Sequence, residues 1–301
     1  KKKTDKVTSH IKKKKKIKYH ILFFFFSSLL LTANAQKLKP EYSKVLDEKI
    51  RETSGLLFWN NKLWTHNDDG DTNLYALDPS SGEINQTIHL KNIKNNDWES
   101  ISQDENYIYI GDFGNNITGN RTNLNILRIE KEALLSGIQK LDTIHFKYSD
   151  QLDFTPKKSN TTDFDGEAFI VSNDSIYIFT KQWTSKKTSL YSFPKLPGNY
   201  TAKFKTTFKV NGLITDAIFV DQKMVLCGYS KKLKPFIYKF SDFKENDFFS
   251  GKNEKIKLKL PFHQVEGIAS EDGKTFFLTN EYLKKKPFVT TKQKIHKFIL
   301  E

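Results

Sequence analysis

The sequence predicts an all-β protein, a single β-propeller built from four-stranded blades. From residue 40 onward, runs of β-branched and aromatic residues alternate with clusters of Asn, Asp and Gly, which is typical of successive strands and turns. A short motif recurs five times: an acid or serine, a small residue, then a large apolar residue. Because repeated units in an all-β chain are typical of propellers, we interpret each unit as one blade.

The five motifs open the predicted innermost strands of the blades. They are Ser54-Gly55-Leu56, Glu99-Ser100-Ile101, Glu167-Ala168-Phe169, Asp216-Ala217-Ile218 and Glu266-Gly267-Ile268. Second strands are predicted to end at Asn67, Asp112, Thr180, Tyr229 and Asn280. Third strands follow at 74–77, 124–129, 189–193, 235–240 and 295–300, and fourth strands at 84–90, 143–148, 202–210 and 255–260. Only residues 131–138 show a short helical pattern.

The fifth unit lacks a fourth strand, and segment 42–50 precedes the first unit without a place in it. A propeller ring closes when both ends of the chain contribute strands to one shared blade. We therefore expect the N-terminal segment to complete the last blade, which gives five blades. Six blades is the alternative, because the 68 residues between Glu99 and Glu167 leave room for another hairpin.

Residues 1–35 have the pattern of a secretory signal peptide. Ten lysines and one acid account for +9 of the formal charge of +14. They precede or flank the apolar run ILFFFFSSLLL at 21–31, which is followed by Ala33-Asn34-Ala35. A basic region, a short apolar region and an A-x-A site together are typical of export. The propeller domain is then 36–301, in the periplasm or outside the cell.

The composition excludes several classes of protein. A single cysteine excludes a disulfide scaffold. After removal of residues 1–35 the charge of +5 is spread over the chain, so nucleic acid is not an expected partner. No segment of the mature chain is long and apolar enough to be a transmembrane helix. We expect a monomer without an organic cofactor, whose partner is a small polar ligand, a glycan or a protein.

The opening residues point to a metal or polar-ligand site. Because innermost strands line the central channel, these residues should form a ring: Ser54, Glu99, Glu167, Asp216 and Glu266. Converging carboxylates repel one another unless they are protonated, hydrogen-bonded or bridged by a cation. The four acids are therefore candidate metal ligands, and their oxygen donors favour calcium or magnesium. The alternative at each position is an acid that accepts hydrogen bonds from the backbone of a neighbouring blade.

Further candidates lie near the same predicted mouth of the channel. The ligand-binding candidates are Asn67, Trp98, Asp112, Asn115, Asn280 and Glu281, and the nearby Asp97 and Asp165 add negative charge. Trp98 and Trp183 either stack on a ligand or pack between blades. His66 is the candidate general base, and its alternative role is to fill a position in a strand. No nucleophile or phosphate-loop motif accompanies these residues.

Four segments carry a resemblance to a known family. They are 52–77 (ETSGLLFWNNKLWTHNDDGDTNLYAL), 97–116 (DWESISQDENYIYIGDFGNN), 162–180 (TDFDGEAFIVSNDSIYIFT) and 264–281 (QVEGIASEDGKTFFLTNE). The chain resembles uncharacterised secreted propellers of Gram-negative bacteria. More distantly it is similar to SdiA-regulated and phytase-like esterase propellers, whose strands also open with a D-x-E-G-I type motif. The resemblance implies a calcium-associated propeller with Glu99, Glu167 and Glu266 as the matching acids. Ser54 and Asp216 depart from the pattern.

Two functions from different classes follow. The first is a binding propeller that holds a polar ligand, glycan, protein or divalent cation at an acidic channel mouth. The alternative is a calcium-dependent hydrolase of phosphoesters, lactones or esters. In that case the metal would activate water, and His66 or an unbound carboxylate would act as the base.

Overall fold

A computed structural model describes residues 37–300 except 286 and 288. The predicted signal peptide at 1–35 lies outside the described residues. Within the described part, no helix has the length and apolar character needed to span a membrane.

Five four-stranded antiparallel blades confirm the predicted propeller, and their strands follow the chain from the inside of each blade outward. Blade 1 contains β2 (Thr53–Trp59), β3 (Lys62–Asn67), β4 (Asn73–Leu77) and β5 (Ile84–His89). Blade 2 contains β6 (Trp98–Gln103), β7 (Tyr107–Asp112), β8 (Asn125–Glu130) and β9 (Leu141–Tyr148). Blade 3 contains β10 (Gly166–Ser172), β11 (Ser175–Thr180), β12 (Thr188–Pro194) and β13 (Gly198–Phe208). Blade 4 contains β14 (Leu213–Val220), β15 (Lys223–Tyr229), β16 (Pro235–Ser241) and β17 (Lys252–Lys257).

Blade 5 closes the ring with a strand from each end of the chain. It contains β18 (Val265–Ser270), β19 (Thr275–Asn280) and β22 (Lys294–Ile299), and its outermost strand is β1 (Tyr42–Val45). Strand β1 pairs antiparallel with β22, with Ser43 opposite His296. A 3-10 turn at Glu48–Ile50 then leads into blade 1. The predicted closure by the N-terminal segment is therefore confirmed.

Two features of the strands differ from the sequence pattern. A short hairpin, β20 (Leu283–Lys285) with β21 (Val289–Thr291), is inserted in blade 5 between β19 and β22. The outermost strands of blades 2 and 3 also pair with each other in parallel, Ile144–Tyr148 beside Gly198–Ala202, so the two blades form one eight-stranded sheet. The long spacing between Glu99 and Glu167 holds helix α1 (Lys131–Leu135) and a loop, and the described chain has no sixth blade.

The apolar core is divided among the five interfaces between neighbouring blades. Each interface has its own buried cluster, such as Phe113, Phe146 and Phe169 between blades 2 and 3. Alternating residues of each strand therefore face one neighbour or the other, as the period of a β-strand requires. This packing fixes the five innermost strands around one axis and positions their first residues at one end of the channel.

Candidate functional site

Each innermost strand contains a β-bulge at its opening motif or, in β14, directly before it. In β6, β10 and β18 the register shifts across one residue, so that Glu99, Glu167 and Glu266 have no partner on the second strand. A bulge redirects the side chain of the extra residue. All three glutamates line one cavity at the end of the channel where the strands begin.

We call this space the mouth cavity, and it has a volume of about 210 Å³. Its charged lining residues are Asp68, Glu99, Glu167, Lys181, Glu266 and Glu281. Polar and aromatic lining is provided by Ser54, Asn116, Asn160, Trp183, Tyr229 and Gln264. Among the described residues, five carboxyl groups thus share the cavity with one ammonium group.

Three acids form the most compact group. One carboxylate oxygen from each of Glu99, Asp165 and Glu167 lies within 4.8 Å of the others, and all three residues are buried. Asp165 accepts hydrogen bonds from the backbone N–H of Asn115 (2.6 Å) and from the indole Nε1 of Trp183 (2.6 Å), which fix its position. In the described part of the chain, the buried Oε1 of Glu167 has no hydrogen-bond partner. The group therefore contains a carboxylate oxygen without a hydrogen-bond partner, on a residue that lines the mouth cavity.

Lys181 provides the positive charge of the mouth cavity. Its Nζ lies 2.9 Å from Oε2 of Glu167 and 3.9 Å from Oε2 of Glu266. The same ammonium lies over the rings of Trp183 and Tyr229, at 5.0 and 5.7 Å from their centroids. Burial opposes the charged form, but the neighbouring Glu167 and Glu266 raise the pKa of Lys181 well above its ordinary value. Lys181 consequently stays protonated at neutral pH, and a protonated amine is not a nucleophile.

For the carboxyl groups Glu99 and Glu167, burial and neighbouring negative charge outweigh the effect of Lys181, so the charged form is disfavoured. Burial, followed by repulsion from Glu167 and Asp97, raises the pKa of Glu99 well above its ordinary value. Burial also raises the pKa of Glu167 well above its ordinary value, although Lys181 partly opposes this. These shifts mean that negative charge is poorly compensated in the cavity. A bound cation would supply the missing compensation.

A second acidic group lies beside the first. Carboxylate oxygens of Glu52, Asp68 and Glu281 lie within 4.8 Å of one another, and these residues are partly exposed. Burial, then the charges of Asp69 and Glu52, raises the pKa of Asp68 to about 7. The side-chain amide of Gln264 donates to Glu281. Since Asp68 and Glu281 also line the mouth cavity, this group extends its negative surface.

Gly114 leaves the space that the acids of blade 2 require. A Cβ atom at this position would lie 2.3 Å from Oδ2 of Asp97 and 2.4 Å from Oε1 of Glu99. Both distances are shorter than van der Waals contact, so any side chain at Gly114 would displace these acids. The pKa of Asp97 is raised to about 6, first by burial and then by Asp165.

Asp216 lies at the centre of the propeller instead of in the mouth cavity. In β14 the register shifts between Ile214 and Asp216, so that Thr215 occupies the bulge position. The Asp216 carboxylate accepts hydrogen bonds from three other blades: from the Ser100 hydroxyl (2.6 Å) and from the backbone N–H groups of Ile268 (2.8 Å) and Leu56 (3.3 Å). This matches the alternative role weighed for each acid, acceptance of hydrogen bonds from neighbouring blades.

Blades 1 and 4 have a hydroxyl group where the other blades have a glutamate: Ser54 directly before the bulge of β2, and Thr215 at the bulge of β14. The Ser54 hydroxyl donates to the carbonyl of Glu99 (2.8 Å), and the Thr215 hydroxyl donates to the carbonyl of Val265 (2.7 Å). Each hydroxyl thus joins its blade to the next one. Of the predicted ring, the three glutamates and Ser54 line the mouth cavity. Asp216 does not, and Thr215 occupies the bulge of its strand instead.

His66 and Trp98 lie in the interface between blades 1 and 2. Both are fully buried, and their rings meet edge to face at 5.4 Å. The Nδ1 atom of His66 lies 3.0 Å from the carbonyl oxygen of Asn67. Burial lowers the pKa of His66 to about 4. The structure thus positions both residues as packing side chains, apart from the lining of the mouth cavity.

Four further candidates hold loops together. Asn67 donates to the carbonyl of Lys49 and to Asp71, while Asn280 donates to two carbonyls and pairs with His296. Asp112 forms an ion pair with Arg121 (2.8 Å). Asn115 donates to the carbonyl of Phe164 and to Asp165. Of the six ligand-binding candidates, Glu281 lines the mouth cavity.

The most informative residue missed by the sequence reasoning is Lys181. It follows directly after the last residue of β11, Thr180, just as Asp68 follows β3 and Glu281 follows β19. Tyr229, the last residue of β15, also lines the cavity. The signal in the sequence was the residue that follows the second strand, which lines the cavity in blades 1, 3 and 5.

No family model and no curated protein matches the chain. Solved structures with similar folds include a glucose dehydrogenase, 9% identical with a TM-score of 0.49, covering 86% of this chain and 100% of that one. The Kuenenia stuttgartiensis hydrazine synthase is 9% identical to this chain, with a TM-score of 0.37. The match covers 83% of this chain but only 64% of the synthase chain, so this chain spans less than two thirds of the length of that one. A chain of the mitotic checkpoint complex is 11% identical with a TM-score of 0.38, covering 87% and 94%. At these identities and TM-scores, the likenesses carry no functional argument.

Proposed function

We propose that this protein is an exported propeller that binds a divalent cation in the mouth cavity, with Glu99, Asp165 and Glu167 as its carboxylate ligands. The single observation that carries the proposal is the buried Glu167, which is 1% exposed and whose Oε1 has no hydrogen-bond partner among the described residues. Two further carboxylates lie within 4.8 Å of it. Lys181 pairs with the other oxygen, Oε2, at 2.9 Å, and a buried carboxylate oxygen without a partner is costly unless a cation or proton accompanies it.

The chemistry of the donors favours calcium. All candidate ligands are oxygens, and the part of the chain that the structure describes contributes neither cysteine nor histidine to the cavity lining. Hard cations such as Ca²⁺ take six to eight oxygen ligands, including waters and amides. The cavity volume of about 210 Å³ accommodates a cation together with several waters. A small polar ligand could complete the coordination from the open side.

The export part of the proposal depends on residues 1–35 alone. Their basic, apolar and A-x-A segments support passage across a membrane, and a calcium site suits the calcium-rich exterior. The mature protein is then expected to begin at Gln36, which mass spectrometry of the protein recovered from a secreting host would check. Recovery of an unprocessed chain inside the cell would contradict this part.

Thermal unfolding in calcium and in EDTA tests the cation site. At a hundredfold excess over Kd, calcium should add about 2.7 kcal/mol to the free energy of unfolding. For a domain of this size, that corresponds to roughly 5–10 °C in Tm. Glu167→Gln should remove the shift, whereas Glu254→Gln, a change on the exposed strand β17, should retain it. An unchanged wild-type Tm, or an equal shift in Glu167→Gln, would contradict the proposal.

A calcium-dependent hydrolase is the second candidate, and one observation favours it. Asp68 lines the same cavity, and burial together with Asp69 and Glu52 raises its pKa to about 7. A carboxyl group that titrates near neutral pH suits a general base, in the role first considered for His66. Turnover of a panel of phosphoesters and lactones that requires calcium, and that falls at least a hundredfold in Asp68→Asn, would support hydrolysis. Calcium binding without turnover of any substrate in the panel would contradict the hydrolase and support a propeller that only binds.

A further inference from the structure

The ammonium group of Lys181 lies among groups that bind cations. Its Nζ contacts Glu167 at 2.9 Å and lies 3.9 Å from Glu266, and the centroids of the Trp183 and Tyr229 rings lie within 6 Å. Carboxylates combined with aromatic faces are how proteins bind ammonium ligands. Here the ammonium belongs to the protein, since Lys181 is itself only 5% exposed.

Glu167 belongs both to the Lys181 ion pair and to the candidate cation site. Glu167 is the partner of Lys181 through Oε2, and it also belongs to the acidic group with Glu99 and Asp165. A divalent cation bound by these three acids would therefore lie within a few ångströms of the ammonium. Like charges at such a distance, away from bulk water, repel strongly. The two cations cannot both be bound at full strength.

We propose that Lys181 is a tethered occupant of the mouth cavity that competes with a divalent cation and thereby sets the affinity of the site. This inference builds on the proposed cation site and adds the residue that controls it. Lys181 keeps the acids partly neutralised in the absence of a cation, and a bound cation displaces the ammonium from Glu167. The site therefore responds to cation concentration with a lower affinity than its acids alone would give.

Terbium luminescence gives a direct readout of this competition. Tb³⁺ is an oxygen-seeking substitute for Ca²⁺, and its emission is sensitised by a nearby indole. The indole of Trp183 donates a hydrogen bond to Asp165, so a bound ion would lie close to it. Titration of Tb³⁺ into the full-length mature protein yields its Kd, and competition with Ca²⁺ yields the calcium Kd.

Three variants separate charge from packing. Lys181→Met removes the ammonium but keeps most of the volume, and we expect Tb³⁺ and Ca²⁺ to bind on the order of tenfold more tightly or better. Lys181→Arg keeps the charge and should keep an affinity near that of the wild type. Lys195→Met is the matched control, because Lys195 forms an ion pair of the same length, 2.9 Å, with Asp104 outside the cavity. Its affinity for both ions should be unchanged.

The outcomes distinguish this inference from the proposed function. Binding to the wild type that is unchanged or weaker in Lys181→Met would overturn the inference and leave the cation site standing. Binding to Lys181→Met without detectable binding to the wild type would support the inference and overturn cation binding as the native function. Absence of binding in both would overturn both proposals.

A second measurement covers the case in which Lys181→Met does not fold by itself. The removed ammonium leaves buried carboxylates uncompensated, so folding of this variant should depend on Tb³⁺ or Ca²⁺. Recovery of the native circular dichroism spectrum on addition of either ion would support competition at one site. A variant that stays unfolded at saturating ion concentration would show that Lys181 is a purely structural ion-pair partner and would overturn the inference.

Discussion

The Ser100 hydroxyl donates a hydrogen bond of 2.6 Å to the Asp216 carboxylate across the centre of the propeller. Ser100 belongs to the innermost strand of blade 2, and Asp216 to that of blade 4. The same carboxylate accepts backbone N–H groups of blades 1 and 5. One buried side chain thus connects four of the five blades below the mouth cavity.

Removal of this carboxyl group should destabilise the propeller. Asp216→Ala leaves the N–H groups of Ile268 and Leu56 buried without an acceptor, which should lower the free energy of unfolding by about 2–4 kcal/mol. Asp216→Asn keeps an acceptor oxygen and a similar shape, and its cost should stay below about 1 kcal/mol. Urea unfolding of the three proteins checks both values. Equal stability of the Ala and Asn variants would show that these hydrogen bonds contribute little.

Asp216 should also make stability fall as the pH rises. Burial raises the pKa of Asp216 in the folded protein to about 8, against an ordinary value of 3.8. Its contribution to stability is therefore full below about pH 4 and is lost as the pH rises through about 8. The stability of the wild type relative to Asp216→Asn should decrease between about pH 5 and pH 8 and level off above. A difference that stays constant over this range would contradict the shifted pKa.

His66 should make the free energy of unfolding fall at acid pH. Burial lowers the pKa of His66 in the folded protein to about 4, against 6.5 ordinarily. Its contribution to stability is present above about pH 6.5 and is lost as the pH falls through about 4. His66→Gln should make the free energy of unfolding less sensitive to pH in that window, with part of the sensitivity left because burial also lowers the pKa of His296. The same acid sensitivity in both proteins would argue against a buried, neutral His66.

Gly114→Ala should damage the cation site more than the fold. The new Cβ would displace Asp97 and Glu99, so calcium should bind at least roughly tenfold more weakly, while the other blades keep their packing. Gly70→Ala is the control, because a Cβ there meets no atom within 4 Å, although the positive φ of 81° carries its own strain. Calorimetric titration with calcium measures the affinity of each. Undiminished calcium binding by Gly114→Ala would remove Glu99 from the ligand set.

The repeat could be read from the sequence because a bulge at each innermost strand requires similar residues at the same place. Three glutamates therefore stood out, and all three line the mouth cavity. The displacement of Asp216 could not be read, since the bulge in β14 falls one residue earlier, at Thr215. Successive strand residues point to opposite sides, so an offset of one residue moves a side chain from the cavity to the centre.

An offset of one residue also explains why most of the predicted ligand-binding residues do not line the cavity. Asn67 and Asn280 end their strands and hydrogen-bond to backbone carbonyls, whereas Asp68 and Glu281, one residue later, line the cavity. Lys181 was missed because a lysine does not fit a search for carboxylate ligands. The role of Lys181 depends on the 2.9 Å distance between its Nζ and Oε2 of Glu167. Glu167 lies on the innermost strand and Lys181 follows the second strand, so this distance is set only when the blade folds.

The most direct test of the account is an anomalous difference map from crystals of the mature protein soaked in Tb³⁺. The cation site predicts a peak in the mouth cavity at about 2.3–2.6 Å from carboxylate oxygens of Glu99, Asp165 and Glu167. The soaked Glu167→Gln crystal should lose that peak. A map with no peak in the cavity, or with its peak between Glu52, Asp68 and Glu281 instead, would contradict the ligand set proposed for this propeller.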